Sequence, residues 1–229
     1  MFRNMMFGGN LQDFIVGFLL ITPGFLIGLC FHEFGHAWMA VRSGDDTPKM
    51  MGRLTLNPLK HLDLMGFITL LFFGFGWAKP VMINPRMVGS AGGKYRNWMI
   101  GISLAGIILN LCIATIILII HAGLCAAFGA AYLRSGVWPT LVFSSFQINL
   151  VLAAFNLLPV PPLDGSNLIK ALFPRMQWPR AIDRYGMFIL MGLLFTGIIS
   201  GIIGPMLQPF INLFHRVTYN ISGVFPWPL

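Results

Sequence analysis

The stretch that decides the fold is residues 11–41, LQDFIVGFLLITPGFLIGLCFHEFGHAWMAV. It holds about 30 residues, more than the ~20 that cross a bilayer as a helix. Two interruptions shape it. Pro23-Gly24 predicts a kinked or tilted helix, or one that restarts with Pro23 in its first turn. Further on, His32-Glu33-Phe34-Gly35-His36 sets three ionisable side chains into an otherwise apolar run.

Four more apolar stretches follow: Leu64–Trp77, Trp98–Ile120, Thr140–Leu158 and Tyr185–Ile203, the last trailing into a less regular apolar tail. Hydrophobic residues make up 56% of the 229-residue chain and charged residues 10%, against roughly 25% charged in soluble domains. So few charges cannot coat a water-soluble surface, and the mean hydropathy of +0.77 agrees. The runs are continuous where barrel strands would alternate, so the reading is an all-α polytopic membrane protein. Four to five transmembrane helices are expected. Leu64–Trp77 is too short to span and reads as a re-entrant or interfacial segment. The longest polar stretch, residues 42–63, is too short for an appended soluble domain, so residues 1–229 read as one membrane-embedded domain with its core at about 23–192. No small-x-small cleavage site follows the first stretch, which is expected to stay attached. Cys30, Cys112 and Cys125 lie in or beside apolar runs and read as packing residues, not a disulfide framework.

The net charge of +8 would suggest nucleic acid in a soluble chain. Its distribution says otherwise. If Leu64–Trp77 dips in and returns, twelve cations share one face: Arg42, Lys49, Arg53, Lys60, Lys79, Arg86, Lys94, Arg96, Lys170, Arg175, Arg180 and Arg184. Arg3, Arg134 and Arg216 fall on the other. The excess of Lys and Arg on cytoplasmic loops then puts the N-terminus outside and the charged loops in the cytosol. Trp38, Trp98 and Trp138 near stretch ends suit the interfacial aromatic belt.

His32-x-x-x-His36 puts both imidazoles on one helix face, where they can bind one zinc, and Glu33 between them can take a proton from water. Glu33 is the sole glutamate in the chain. Chance would flank it with two of the five histidines at this spacing about once in 2,600 chains. Ionisable groups inside an apolar span are costly unless paired or bound. A catalytic zinc usually has three protein ligands. With no second glutamate, the third is Asp or His. Asp13 lies roughly 28 Å up the helix. Asp45, Asp46 and Asp183 sit in polar loops and read as solvated charges. Asp164 ends the segment Asn156-Leu157-Leu158-Pro159-Val160-Pro161-Pro162-Leu163-Asp164-Gly165, where three prolines break the fourth stretch at the same membrane face as His36. Asp63 is the alternative ligand. His61 is a candidate neighbour of the site, whereas His121 and His215 have weaker claims.

These residues resemble the site-2 protease family of intramembrane zinc metalloproteases, in its compact bacterial branch without PDZ or CBS domains. The resemblance rests on His32–His36 and Asn156–Gly165, with Gly52-Arg53-Leu54-Thr55-Leu56-Asn57-Pro58, Gly76-Trp77-Ala78-Lys79-Pro80-Val81 and Asn84-Pro85 beside them. It implies one zinc on His32, His36 and Asp164, with Glu33 as general base. It also implies a substrate that is a transmembrane helix of a single-span protein, such as an anti-sigma factor or a remnant signal peptide, in the bacterial inner membrane. The family's Ala-Gly-Pro in the third span reads Ala105-Gly106-Ile107 here, followed by Asn110. Asn110 and Asn156 are candidate contacts for substrate or oxyanion, each with a packing alternative. The rivals are a non-catalytic metal-binding membrane protein and a different membrane metalloprotease with H-E-x-x-H. The latter resembles zincins with a glutamate third ligand, which this chain lacks.

Overall fold

The computed structural model describes residues 11–73, 78–176 and 178–223. Nine helices are defined among them: α1 Leu11–Arg42, α2 Thr47–Met50, α3 Pro58–His61, α4 Leu64–Phe73, α5 Tyr95–Arg134, α6 Val137–Asn156, α7 Asp164–Leu172, α8 Arg180–Phe195 and α9 Ile198–Ser222. Among the described residues there is no strand, only an isolated antiparallel bridge between Leu62 and Ala78. α1, α5, α6 and α9 are long and apolar enough to span a membrane. Their outer faces expose Leu19 and Ile27 on α1, Ile116 and Ile119 on α5 and Ile198 on α9. An apolar surface of that extent is stable only against lipid, which makes this an integral membrane protein.

α1 passes through Pro23 without a restart. It ends where Gly44 takes φ +100°, with Asp45 N–H on the Ala40 carbonyl and Gly44 N–H on that of Val41. This is the left-handed glycine cap that most side chains would resist. The third stretch is longer than its hydropathy suggests. α5 has 40 residues, about 60 Å if straight, twice the ~30 Å hydrocarbon core. It bends at Gly129 (φ 51°, ψ −130°), and the chain turns back so that the Tyr132 hydroxyl lies 3.2 Å from Nδ1 of His121. The fifth stretch, read as one span over Tyr185–Ile203, is two helices. Gly197 at φ +75° ends α8 and starts α9, and the apolar tail is the spanning helix.

α1, α5 and α6 form the heart of the bundle. A seam of small residues lets them approach. A Cβ on Gly24 would lie 2.5 Å from Ser145 Cα on α6, and one on Gly28 would lie 2.7 Å from Oδ1 of Asn149. A Cβ on Gly35 would lie 3.0 Å from the Ala105 backbone of α5. In lipid such close backbone packing, with amide hydrogen bonds across it, takes over the part hydrophobic burial plays in water. Asn149, fully buried, donates to the carbonyls of Gly24 (3.3 Å) and Ser145 (2.8 Å). α9 closes the far end of the bundle, where Phe214 packs on Phe143 and Phe146, and His121 bonds Thr218 at 2.7 Å.

The α4 segment behaves as a hairpin. Its ten helical residues reach about 15 Å, half a bilayer core. The chain leaves at Leu62 and returns at Ala78, and Lys79 N–H donates to the His61 carbonyl at 2.8 Å. Gly74–Trp77, which the sequence reading assigned to the dip, lie outside the described residues. Leu62 and Ala78 pack against the apolar cluster of Ile21, Phe25, Leu29 and Ile148.

Candidate metal centre

The helical spacing of α1 sets His32 and His36 side by side, with ring centroids 4.6 Å apart and their two Nε2 atoms 3.0 Å apart. The third group arrives from a break in the bundle. α6 stops at Asn156, the proline segment turns the chain, and α7 starts with Asp164. Gly165 lies against the carbonyls of Leu157 and Leu158 more closely than any Cβ allows, which folds α7 back under the loop. Oδ2 of Asp164 then stands 3.1 Å from Nε2 of His32 and 3.1 Å from Nε2 of His36. Among the described residues this is the group whose donor atoms could hold a metal.

The triangle fits zinc. Ligand atoms about 2.0–2.1 Å from a tetrahedral zinc lie about 3.3 Å from one another. Asp164 Oδ2 is buried and close to both imidazoles, yet no direction suits a hydrogen bond to it. Three lone-pair donors aimed at one point satisfy a cation better than they satisfy each other. His36 Nδ1 donates to the Ile102 carbonyl of α5 at 2.7 Å, which fixes the tautomer with the Nε2 lone pair facing inward. His32 and His36 are 6% and 7% exposed, while the Asp164 side chain is 16% exposed. The cluster is most open at Asp164.

Room for the two imidazoles comes from Gly106 on α5. A Cβ there would lie 2.6 Å from Cε1 and Nδ1 of His32 and 2.7 Å from Nε2 of His36. Glu33 is 8% exposed, and its Oε2 accepts the backbone N–H of Val81, on the return leg of the hairpin, at 3.1 Å.

The other sequence candidates lie elsewhere. Asp63 caps α4 by accepting the Gly66 N–H at 2.9 Å. His61 is fully buried, with Nε2 on the Thr55 carbonyl at 2.8 Å. His121 sits in the contact between α5 and α9. Asp45 is not the solvated charge expected of its loop. It is fully buried, with carboxylate oxygens accepting N–H groups of Thr47 and Asn84, because the loop after α1 folds back over it. Asp46 is exposed, and Asp183 pairs with Lys170. Asn110 is fully buried; with its amide nitrogen turned to the two carbonyls it donates to Gly28 and Gly106, each at 3.1 Å. Asn156 is partly buried, its amide donating to the Leu152 carbonyl at 3.0 Å. Sequence reasoning missed Gly106 as the cradle, Asn149 as a tie, and the backbone groups of Ile102 and Val81. The Ala105-Gly106 pair was a visible signal for the first. Backbone partners leave none.

A chain with spanning helices and this buried donor cluster belongs to the class of membrane metalloproteins, and its relatives narrow the class. The model of peptidase family M50 matches residues 122–197. "Putative zinc metalloprotease YwhC" of Bacillus subtilis (strain 168) is 38% identical over 205 residues, 85% of this chain and 87% of that protein. "Putative zinc metalloprotease Rip2" of Mycolicibacterium smegmatis is 35% identical over 179 residues, 70% of this chain and 63% of that protein. "Putative zinc metalloprotease MJ0611" of Methanocaldococcus jannaschii is 29% identical over 160 residues, 69% of this chain and 70% of that protein. No solved structure matches the chain significantly. The protein is a membrane zinc metalloprotease. It belongs to peptidase family M50, the site-2 protease family.

Proposed function

We propose that the protein is an intramembrane endopeptidase of the bacterial inner membrane. In this reading His32, His36 and Asp164 hold one zinc per chain, and Glu33 is the general base. The observation that carries it is the buried triangle of donor atoms 3.0–3.1 Å apart, with the sole glutamate next to His32 in sequence. Zinc held there supplies Lewis-acid polarisation of the scissile carbonyl and lowers the pKa of water. Glu33 takes the proton of the attacking water on one carboxylate oxygen and passes it to the leaving nitrogen, while its other oxygen stays on the Val81 N–H. The Ile102 carbonyl keeps His36 in the tautomer this needs. The substrate is a transmembrane segment that unwinds locally before attack, drawn from single-span proteins such as anti-sigma factors or from remnant signal peptides. Asn156, partly exposed where α6 ends, is the proposed contact with it, whereas Asn110 serves the contact between helices. The site faces the cytosol, and residues 1–229 act as one domain.

The test uses purified protein reconstituted with a single-span reporter helix. Glu33→Gln should abolish cleavage, at least a hundredfold, while metal analysis still finds close to one zinc per chain. Asp164→Ala should lose both zinc and cleavage. Full zinc occupancy and activity in Asp164→Ala would reject the ligand assignment, and an active Glu33→Gln would reject the base.

A further inference from the structure

Arg53 is 5% exposed, the one buried Lys or Arg among the described residues. No carboxylate pairs with it there. Its guanidinium instead reaches two backbone carbonyls. Nη1 donates to Lys60, before the hairpin leaves, and to Lys79 (3.5 Å), after it returns. Such a charge is costly to bury unless it is hydrogen-bonded, and here one guanidinium nitrogen, Nη1, serves both carbonyls. The two legs meet in the same place through the Leu62–Ala78 bridge and the Lys79–His61 hydrogen bond. Two residues beyond Lys79, Val81 gives its N–H to Glu33.

We infer that Arg53 is a positioning residue for hydrolysis, acting through the hairpin's return leg on Glu33. The inference rests on the reading of Glu33 as general base. Val81 has no side-chain part in this contact. Only its backbone N–H matters, so the leg must be fixed along the chain for the donor to stay within reach. Arg53 ties that leg to the outgoing leg, and the outgoing leg rests on α1 through Leu62 and through Cys30, whose Sγ donates to the Leu56 carbonyl at 2.9 Å. The carboxylate is thereby held by the return leg. A general base displaced by about 1 Å can lose on the order of a hundredfold in rate.

The experiment compares Arg53→Ala, Val81→Pro and the double variant in zinc-loaded, reconstituted protein acting on the single-span reporter helix. Val81→Pro removes the donor and keeps extended backbone after Pro80. Each single variant should lower kcat by tenfold or more, with KM within about twofold and zinc content unchanged. The double variant should be no slower than the slower single one, since both remove one contact. Leu62→Cys with Ala78→Cys, in a background without Cys112 and Cys125 and with Cys30→Ser, whose hydroxyl can still donate to the Leu56 carbonyl, offers the rescue. Facing positions of an antiparallel bridge suit a disulfide. Oxidation should restore most of the kcat lost in Arg53→Ala, and reduction should remove it again. Multiplicative losses, an unchanged kcat, or a disulfide that forms without rescue would overturn the assignment. An active Glu33→Gln would instead overturn the base and leave the Arg53 losses to be read as structural. Loss of zinc in Arg53→Ala would likewise overturn the assignment, since a residue that only positions Glu33 leaves the metal ligands in place.

Discussion

Gly106 shows how much of the site rests on an atom that is missing. Both metal-facing imidazoles occupy the volume where its side chain would stand. A Cβ within 2.6–2.7 Å of ring atoms on both histidines forces them to move, and the Ile102 carbonyl limits how His36 can respond. Gly106→Ala should therefore weaken zinc binding by about 10–100-fold, the range for loss of ligand support. Competition against a chelator of known affinity measures this directly. Wild-type affinity in Gly106→Ala would show that the rings are free to rearrange. The His-Glu-His spacing was legible in the sequence because it obeys helix geometry, and Asp164 because prolines unwound its helix next to it. Gly106 was visible only as part of a motif. What it makes room for depends on a neighbouring helix, which no local pattern encodes.

At the scale of elements, sequence and structure agree where hydropathy and helix length tell the same story, as in α1 and α6. They part at α5 and α9. Gly129 and Gly197 break helices without altering local hydropathy, so a sliding apolar run cannot see them. The short apolar run at Leu64 was readable as a non-spanning element from its length alone. Its return to Leu62 was a matter of pairing between residues sixteen positions apart. That pairing makes a sharp prediction. Single cysteines replacing Lys60 or Lys79, in a background without native cysteines, should react with an impermeant thiol reagent from the same side of oriented vesicles. Labelling from opposite sides would mean that the segment crosses, and would remove the charge imbalance on which the expected orientation rests.

For the whole molecule, the donor triangle and the loops carrying most of the Lys and Arg lie at the same end of the bundle. His121, Thr218 and the C-terminal end of α9 mark the other end. Trp38 at the charged end carries Arg42 over its ring at 5.0 Å, and Trp138 at the opposite end is exposed, as interfacial residues are. Trp98 is different. Its indole N–H is taken by the Gly92 carbonyl at 2.6 Å, so it braces a loop. The charge count predicts that this end faces the cytosol, because Lys and Arg are enriched on cytoplasmic loops. An impermeant chelator such as EDTA should strip zinc faster from the side bearing the Lys- and Arg-rich loops than from the other. Metal content followed over time in vesicles of verified orientation gives the answer, and equal rates from both sides would contradict a one-sided water path.

The glycine seam of α1 has one more consequence. Asn149 holds the Gly24 carbonyl and Asn110 holds that of Gly28, so α1 is gripped on consecutive turns, from two different helices. A screw motion of α1 would break both grips at once, and slipping by one turn would carry the histidines about 5.4 Å from Asp164. The seam is thus a register mark, and the distance along the chain from Gly28 to His32 is a fixed length. One alanine inserted between them would leave both grips intact but rotate the His32–His36 face by about 100°. The helix and its hydropathy would survive, but Gly35 would leave its contact with Ala105, and zinc binding should vanish. An inserted protein that still bound stoichiometric zinc would mean that α1 is free to turn against its neighbours.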